Sequence, residues 1–257
     1  MLAAALALLA ACAADRPPVL ANTAAYKSVA VIAAIPSKID LGTTGLFVFD
    51  NDHDTVDVPD WHLDSLALDA ATRALSPHYR IAFALADDQF VDTDSPLTAA
   101  LEHSTVIQDY ARKHAQAGHP ADIVIVLCES VRVFPNTNPP PIIQFVGVQK
   151  LRDPLLTRPP FVHSYILATI MDGKTLNIIT ETPLLLPPHK RAGGPFGNGA
   201  WGVGGAYPEE LLPGFQWKDH WRDLTEDQRT LIHDKITYLL STSTYYTLQT
   251  TLTAGGS

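Results

Sequence analysis

The segment Asp50-Asn51-Asp52-His53-Asp54 sets oxygen-bearing side chains at alternate positions, the spacing with which the first half of a calcium loop presents its ligands. The second half does not follow. Thr55 stands where the loop's sharp turn needs glycine, and Trp61 stands where a bidentate glutamate closes the site. The segment therefore reads as a solvated acidic turn whose carboxylates accept local backbone hydrogen bonds. The alternative is a divalent-metal site that recruits Asp57 and serves a metal-dependent hydrolase built on residues 50–64.

Other candidate chemistries fail on context. Gly197-Asn198-Gly199-Ala200-Trp201-Gly202 spells a dinucleotide fingerprint, but that motif cradles a pyrophosphate only between a strand and a helix. Here Pro187-Pro188 and Gly193-Gly194-Pro195 precede it, and Gly204-Gly205 and Pro208 follow, so a flexible loop is expected. The ten histidines fall into no metal spacing and read as surface or capping residues, with His114 and His119 separated across a helix end. No G-x-S-x-G elbow is present. Cys128 ends the apolar run Ile123 to Leu127, where a thiol packs as a small hydrophobe and is hidden from substrate. No catalytic residue, metal ligand or cofactor is assigned.

Aromatic residues in irregular segments point instead to recognition. Phe196, Trp201, Tyr207, Phe215, Trp217 and Trp221 sit in a stretch rich in Gly and Pro. They serve either a recognition loop or a loop folded back with these rings as its own core. Trp201 and the Asn136-Thr137-Asn138 turn, through Asn136 and Asn138, are the candidate partner-binding residues.

The elements that must position these residues follow from periodicity. Ser28 to Ile35 reads as a strand and Gly45 to Phe49 as a short second one, with turn residues at Asp40 to Thr44 between them. Pro59 starts a helix to about Leu75 with an alanine-rich stripe, and Tyr79 to Leu85 reads as a strand. Ser95 and Pro96 open a second helix with Ile107 and Ala111 on its apolar face, and a buried strand from Ala121 to Cys128 follows. Ile142 to Val148 and Phe161 to Ile170 are strands, and Asp172-Gly173 marks a type I′ hairpin to Thr175–Thr182. Residues 187 to 217 read as a long irregular loop. Thr225 and Gln228 form a capping box for a last helix with Leu231, Ile232, Ile236, Leu239 and Leu240 on one face. The expectation is one α/β domain, a mixed β-sheet with about three packed helices, a long Gly/Pro-rich loop and a C-terminal helix.

Composition narrows the class. With 46% hydrophobic and 18% charged residues in a chain of 257, a core is assured, and 18 Lys+Arg against 27 Asp+Glu make nucleic acid an unsuitable partner. Leu2 to Ala11 is an uninterrupted apolar run about half the ~20 residues of a membrane span, which is the form of a signal-peptide core.

Leu9-Ala10-Ala11-Cys12 resembles the lipobox of bacterial lipoproteins. The resemblance implies cleavage before Cys12, acylation of its sulfur, and, because Ala13 and not Asp follows, retention at the outer membrane. The organisation expected is a signal peptide over 1–11, a lipidated tether over 12–26 and a periplasmic domain over 27–257. The element order also resembles the outline shared by the lipoprotein activators of penicillin-binding proteins, the curli secretion lipoprotein and the N-terminal domain of the Tol propeller protein. The matching pieces are Val29-Ala30-Val31-Ile32, His78-Tyr79-Arg80-Ile81, Ala121-Asp122-Ile123-Val124 and Ile170-Met171-Asp172-Gly173-Lys174. A nearer resemblance is to uncharacterised bacterial lipoproteins that share the Val-Ala-Val-Ile opening, the turn at Val48 to Asn51, the loop at Pro135 to Asn138 and a capped terminal helix. Together these imply a non-catalytic lipoprotein on the periplasmic face of the outer membrane, an accessory or adaptor for an envelope or export partner. The alternatives are the hydrolase and an oligomeric secretion subunit.

Overall fold

Strand β1 (Ser28–Ala34) is buried along its whole length. A run of Val, Ala and Ile without polar alternation suits a strand covered on both faces, and β1 lies between parallel β4 (Arg80–Ala86) and β5 (Ile123–Glu129). Antiparallel β10 (Ile166–Asp172) pairs with β5, and β11 (Ile178–Pro183) completes the five-stranded sheet, in the order β11-β10-β5-β1-β4. These elements belong to a computed structural model that describes residues 17–21, 23–44, 52–88, 96–115, 120–133, 142–151, 159–190 and 207–253.

Two crossovers cover this sheet. Helix α1 (Leu63–Leu75) precedes β4, and α2 (Pro96–Ala115) connects β4 to β5 on the other side of β1. The crossovers run in opposite directions along the sheet, so connections of one hand set their helices on opposite faces. Val29, Val31 and Ala33 accordingly meet the alanine stripe of α1, whereas Ala30, Ile32 and Ala34 meet Ile107 and Ala111 of α2. Ala67, Ala70, Ala71 and Ala74 are fully buried, and their small side chains let α1 approach closely.

A second mixed sheet has the order β12-β9-β8-β2-β3, formed by Glu209–Leu211, Phe161–Ser164, Val146–Leu151, Lys38–Thr44 and Asp52–Asp57 respectively. Its apolar face, with Ile39, Leu41, Val148 and Val162, joins the same core as α1 and the terminal helix α3 (Glu226–Thr253). Helices α1 and α3 pack on each other, α1 against the first sheet and α3 against the second. The layers are therefore α2, first sheet, the α1–α3 pair, second sheet. A short ribbon of β6 (Val131–Val133) and β7 (Ile142–Gln144) stands apart. No helix among the described residues is long and apolar enough to cross a membrane.

The α/β class, the mixed pairing and the three helices agree with the sequence reading, and the opening strand, β4, α2 and β5 lie where periodicity puts them; α1 ends at Leu75 as expected but starts at Leu63, because Pro59 opens a separate 3-10 turn. The capping box forms: the Thr225 amide donates to Gln228 Oε1 at 2.9 Å and the Gln228 amide to Thr225 Oγ1 at 3.3 Å. The strands divide into two five-stranded sheets where periodicity predicts one. The stretches Ile142 to Val148 and Phe161 to Ile170, each expected as one strand, break at Phe145, where φ is 30°, and at Tyr165, whose amide donates to the Phe145 carbonyl at 2.6 Å. At this corner the chain leaves one sheet for the other.

Four local expectations are corrected. Asp40 to Thr44 is not a turn: it belongs to β2, where Ile39, Leu41 and Thr43 alternate inward. The acidic segment is not a turn over Asp52–Asp57 but the edge strand β3, paired antiparallel with β2. The 187–217 stretch contains a strand, β12, on the other edge of that sheet. Leu231 is 40% exposed, whereas the buried face of α3 continues past Leu240 through Ser243, Thr244, Thr247 and Thr251. Thr247 is built into that face, its Oγ1 accepting the Leu185 amide at 2.8 Å.

The hairpin at Asp172-Gly173 exists, with a different turn. The positive φ belongs to Leu176 at 58°, and Asp172 Oδ1 accepts the amides of Thr175 at 2.8 Å and Lys174 at 3.0 Å. These bonds, that from Thr175 foremost, hold the Asp172 carboxyl below its usual range. Gly173 is needed for close approach, since a Cβ there would stand 1.9 Å from the Ala121 carbonyl oxygen. The expected strand at Gly45 to Phe49 lies outside the described residues.

Candidate functional site

An open cleft of about 420 Å³ lies where the end of β3, the chain entering α1 and the start of α3 converge. After β3, Pro59 starts a one-turn 3-10 helix that ends in Trp61, and His62, in the left-handed region at φ 47°, redirects the chain into α1. This turn sets Trp61 at the cleft instead of on the α1 stripe. From the other side, a second 3-10 turn, Trp221–Asp223, supplies Trp221 before the capping box starts α3.

The two indoles meet edge to face, with centroids 5.8 Å apart and an interplanar angle of 64°. His233, one α3 side chain farther along, meets Trp61 at 4.9 Å and 78°. The Arg229 guanidinium lies over the Trp221 ring at 5.8 Å, and its Nη2 donates to the carbonyls of Trp221 and Arg222 at 3.3 and 3.1 Å. Asp57, Asp60 and Glu226 add carboxylates to the lining. Both tryptophans are half-buried and pack against the main core, so the aromatic walls are held in place by the fold. The arrangement offers π surface and fixed charge to a ligand, a combination suited to binding.

A second polar arrangement lies on the face of the second sheet turned from the helices. His53 Nδ1 donates to the buried Asp40 carboxylate, at 3.0 Å from Oδ2 and 3.2 Å from Oδ1. This hydrogen bond raises the His53 pKa above 6.5; burial opposes the rise, and the charges of Asp40 and Asp52 add to it. On the same face His163 is fully buried, its Nδ1 donating to the Phe145 carbonyl at 3.2 Å and its ring stacked on Tyr165 at 4.7 Å. Tyr165 in turn donates to the Glu209 carboxylate. The surface-or-capping reading of the histidines therefore fails for His163, because an imidazole with a carbonyl and a ring to meet is accommodated inside.

At the carboxyl end of the first sheet, where the strand order reverses beside β1, Tyr110 donates to Asp87 and Ser37 Oγ to Asp88 at 3.3 Å. Burial, foremost, and the Asp87 carboxylate push the Tyr110 hydroxyl upward, which keeps it protonated.

Cys12, Asn136, Asn138 and Trp201 lie outside the described residues, as do Phe196, Asp50 and Asn51. Of the other aromatics singled out, Phe215, Trp217 and Trp221 pack against the main core, and Tyr207 meets Tyr165 edge-on at 6.1 Å. Phe215 and Trp217 thus follow the folded-back arrangement, whereas Trp221 packs against the core and also lines the cleft. Asp54, read as part of an acidic turn, accepts the distant Trp221 amide at 2.8 Å. Among the described residues no group of three His, Cys, Asp or Glu side chains is placed to hold a metal ion. Cys128 is buried in β5 as expected, its Sγ 3.9 Å from the Leu167 carbonyl oxygen.

Trp61, Arg229 and His233 were missed as site residues. In the sequence Trp61 stands out only as the residue at the closing position of a calcium loop, and Arg229 and His233 are ordinary residues of a terminal helix until α3 docks beside β3. No protein-family model matches the chain, and no curated protein matches it in sequence.

Proposed function

We propose that the protein is a non-catalytic lipoprotein of the bacterial outer membrane, held at its periplasmic face by an acylated Cys12, whose α/β domain serves as an adaptor for a protein partner of the envelope or of an export system. The observation that carries the reading is the cleft between Trp61 and Trp221, with Arg229 beside it. Trp and Arg are the residue types that dominate interface energetics when they are held at the centre of a contact and ringed by polar groups. Because the core fixes these rings, binding costs little side-chain ordering. The anchor rests on the lipobox-like Leu9-Ala10-Ala11-Cys12. Each buried acyl methylene contributes ~0.8 kcal/mol, and several chains hold a soluble domain stably.

Two measurements in cells test this. A photo-crosslinking residue in place of Thr230, an exposed and uncharged residue of the cleft lining, is expected to give an adduct with a defined envelope protein. Cys12→Ser is expected to move the protein from the membrane to the soluble fraction. A wild-type chain that takes up no labelled fatty acid overturns the anchor, and a probe that yields no protein adduct overturns the adaptor role.

A further inference from the structure

The cleft between Trp61 and Trp221 has the chemistry of a receptor for an organic cation. Three carboxylates, Asp57, Asp60 and Glu226, line it against one guanidinium, that of Arg229. Arg229 does not cancel them all. Its Nη1 lies 4.0 Å from Glu226, its Nη2 is engaged by the Trp221 and Arg222 carbonyls, and it reaches neither of the other two carboxylates in any pair described. Asp57 meets Lys38 at 3.9 Å with 80% of its side chain exposed, a contact that solvent screens heavily. Asp60 is exposed beside it. The cleft thus keeps a negative excess next to two indoles.

The indoles supply the other half of the recognition. Trp221 already accepts the Arg229 guanidinium over its ring, so the ring is used for cation–π contact within the fold itself. The two rings that meet Trp61, those of Trp221 and His233, do so at steep interplanar angles, 64° and 78°, and neither stacks flat on it. A positive group entering here is drawn by the carboxylates and then meets aromatic surface.

We propose that this cleft binds a lysine or arginine side chain presented by an extended segment of the protein partner, an inference that rests on the adaptor reading and names the chemistry by which the partner is recognised. Charge complementarity selects this occupant: an acidic segment would face Asp60 and an Asp57 whose contact with Lys38 is exposed to solvent, and a neutral one would forgo them. The cleft volume of about 420 Å³ admits one long side chain while the flanking backbone stays on the rim.

The test uses blocked pentapeptides, Gly-Gly-X-Gly-Gly with X as Arg, Lys, Gln or Glu, titrated into the purified domain-bearing chain while the indole NH signals of Trp61 and Trp221 are followed by NMR. The expected result is saturable shifts of both signals with the Arg and Lys peptides, at least about tenfold tighter than with Gln. Asp57→Asn combined with Asp60→Asn, at two exposed positions where folding is not at stake, is expected to weaken binding about fivefold or more and to reduce its salt dependence. Equal affinity for the Gln peptide, preference for the Glu peptide, or unmoved Trp61 and Trp221 signals at millimolar peptide would each overturn the assignment. If the signals stay still while the Thr230 crosslink in cells captures an envelope protein, the cation assignment fails and the adaptor role stands. Tight Arg-peptide binding without any adduct in cells keeps the cation site and removes the adaptor role.

Discussion

The Asp54 carboxylate accepts the backbone amide of Trp221 at 2.8 Å, across 167 residues of chain. Asp54 lies on the edge strand β3, and Trp221 opens the turn that leads into α3. One charged acceptor thus ties the outermost strand of the second sheet to the start of the terminal helix and sets Trp221 opposite Trp61. His220 Nδ1 stands 4.0 Å from the same carboxylate.

Replacing Asp54 with Ala removes this tie and leaves the Trp221 amide to water. The expected cost is about 1 kcal/mol in chemical unfolding, below the ~1.5–3 kcal/mol of a buried charged acceptor because the carboxylate is 34% exposed. Tryptophan emission should shift to the red as Trp221 loosens. Asp54→Asn keeps an acceptor oxygen and should cost less; an unchanged midpoint and spectrum in the alanine variant would show that the tie does not position the ring.

The pairing of His53 with Asp40 makes stability depend on pH near neutrality. Because the folded state raises the His53 pKa above the ordinary 6.5, the contribution of the pair is complete below about pH 6.5 and is lost as pH rises through the higher folded value. Urea unfolding of the wild type between pH 6 and 8 should show stability falling with pH. His53→Gln should flatten that slope, and Asp40→Asn should lower the His53 pKa measured by NMR. A slope that survives in the His53 variant would assign it to another group.

Thr225→Ala should destabilise the protein by about 1 kcal/mol, the usual value for a lost helix cap. Gln228→Ala removes the return half of the box and should cost a similar amount. The two bonds support each other, so the double variant should lose less than the sum of the single variants. Full additivity in a double-mutant cycle would mean that the bonds act independently.

Gly147→Ala and Gly214→Ala separate lack of space from backbone conformation. A Cβ at Gly147 would stand 2.0 Å from the Asp40 carbonyl oxygen, an atom of the paired strand that cannot swing aside. The expected cost is about 3 kcal/mol, with a displaced His53 titration because Asp40 must move. Gly214 has φ +76° and open space around it, so alanine there should cost only about 1 kcal/mol. The reverse order of the two effects would overturn the close-approach account of Gly147.

What was legible in the sequence was local. The apolar run at Val29 to Ala34, the alanine stripe of α1, the buried strand at Ile123 to Cys128, the hairpin position at Asp172 and the reciprocal cap at Thr225 and Gln228 all depend on neighbours within a few residues. Their patterns carry the reason for their structure: an uninterrupted apolar strand must be covered on both faces, and small residues at helical spacing admit a close sheet. The α/β class follows from their order.

The tertiary structure alone decided the rest. Asp40 looks like a turn residue until β2 pairs with both β3 and β8 and brings it to His53. His163 looks like a surface imidazole until the bend at Phe145 and Tyr165 gives it a carbonyl to bond and a ring to stack on. The hydrophobic signal of the α3 face weakens beyond Leu240 because Ser243, Thr244, Thr247 and Thr251 share it with Leu248 and Leu252, with Thr247 bonded to Leu185. Trp61 and Trp221 face each other because helix and edge strand dock, with Asp54 fixing the register. Local periodicity reports which face of an element is apolar, whereas a site made of residues far apart in the chain exists only after those faces have found their partners.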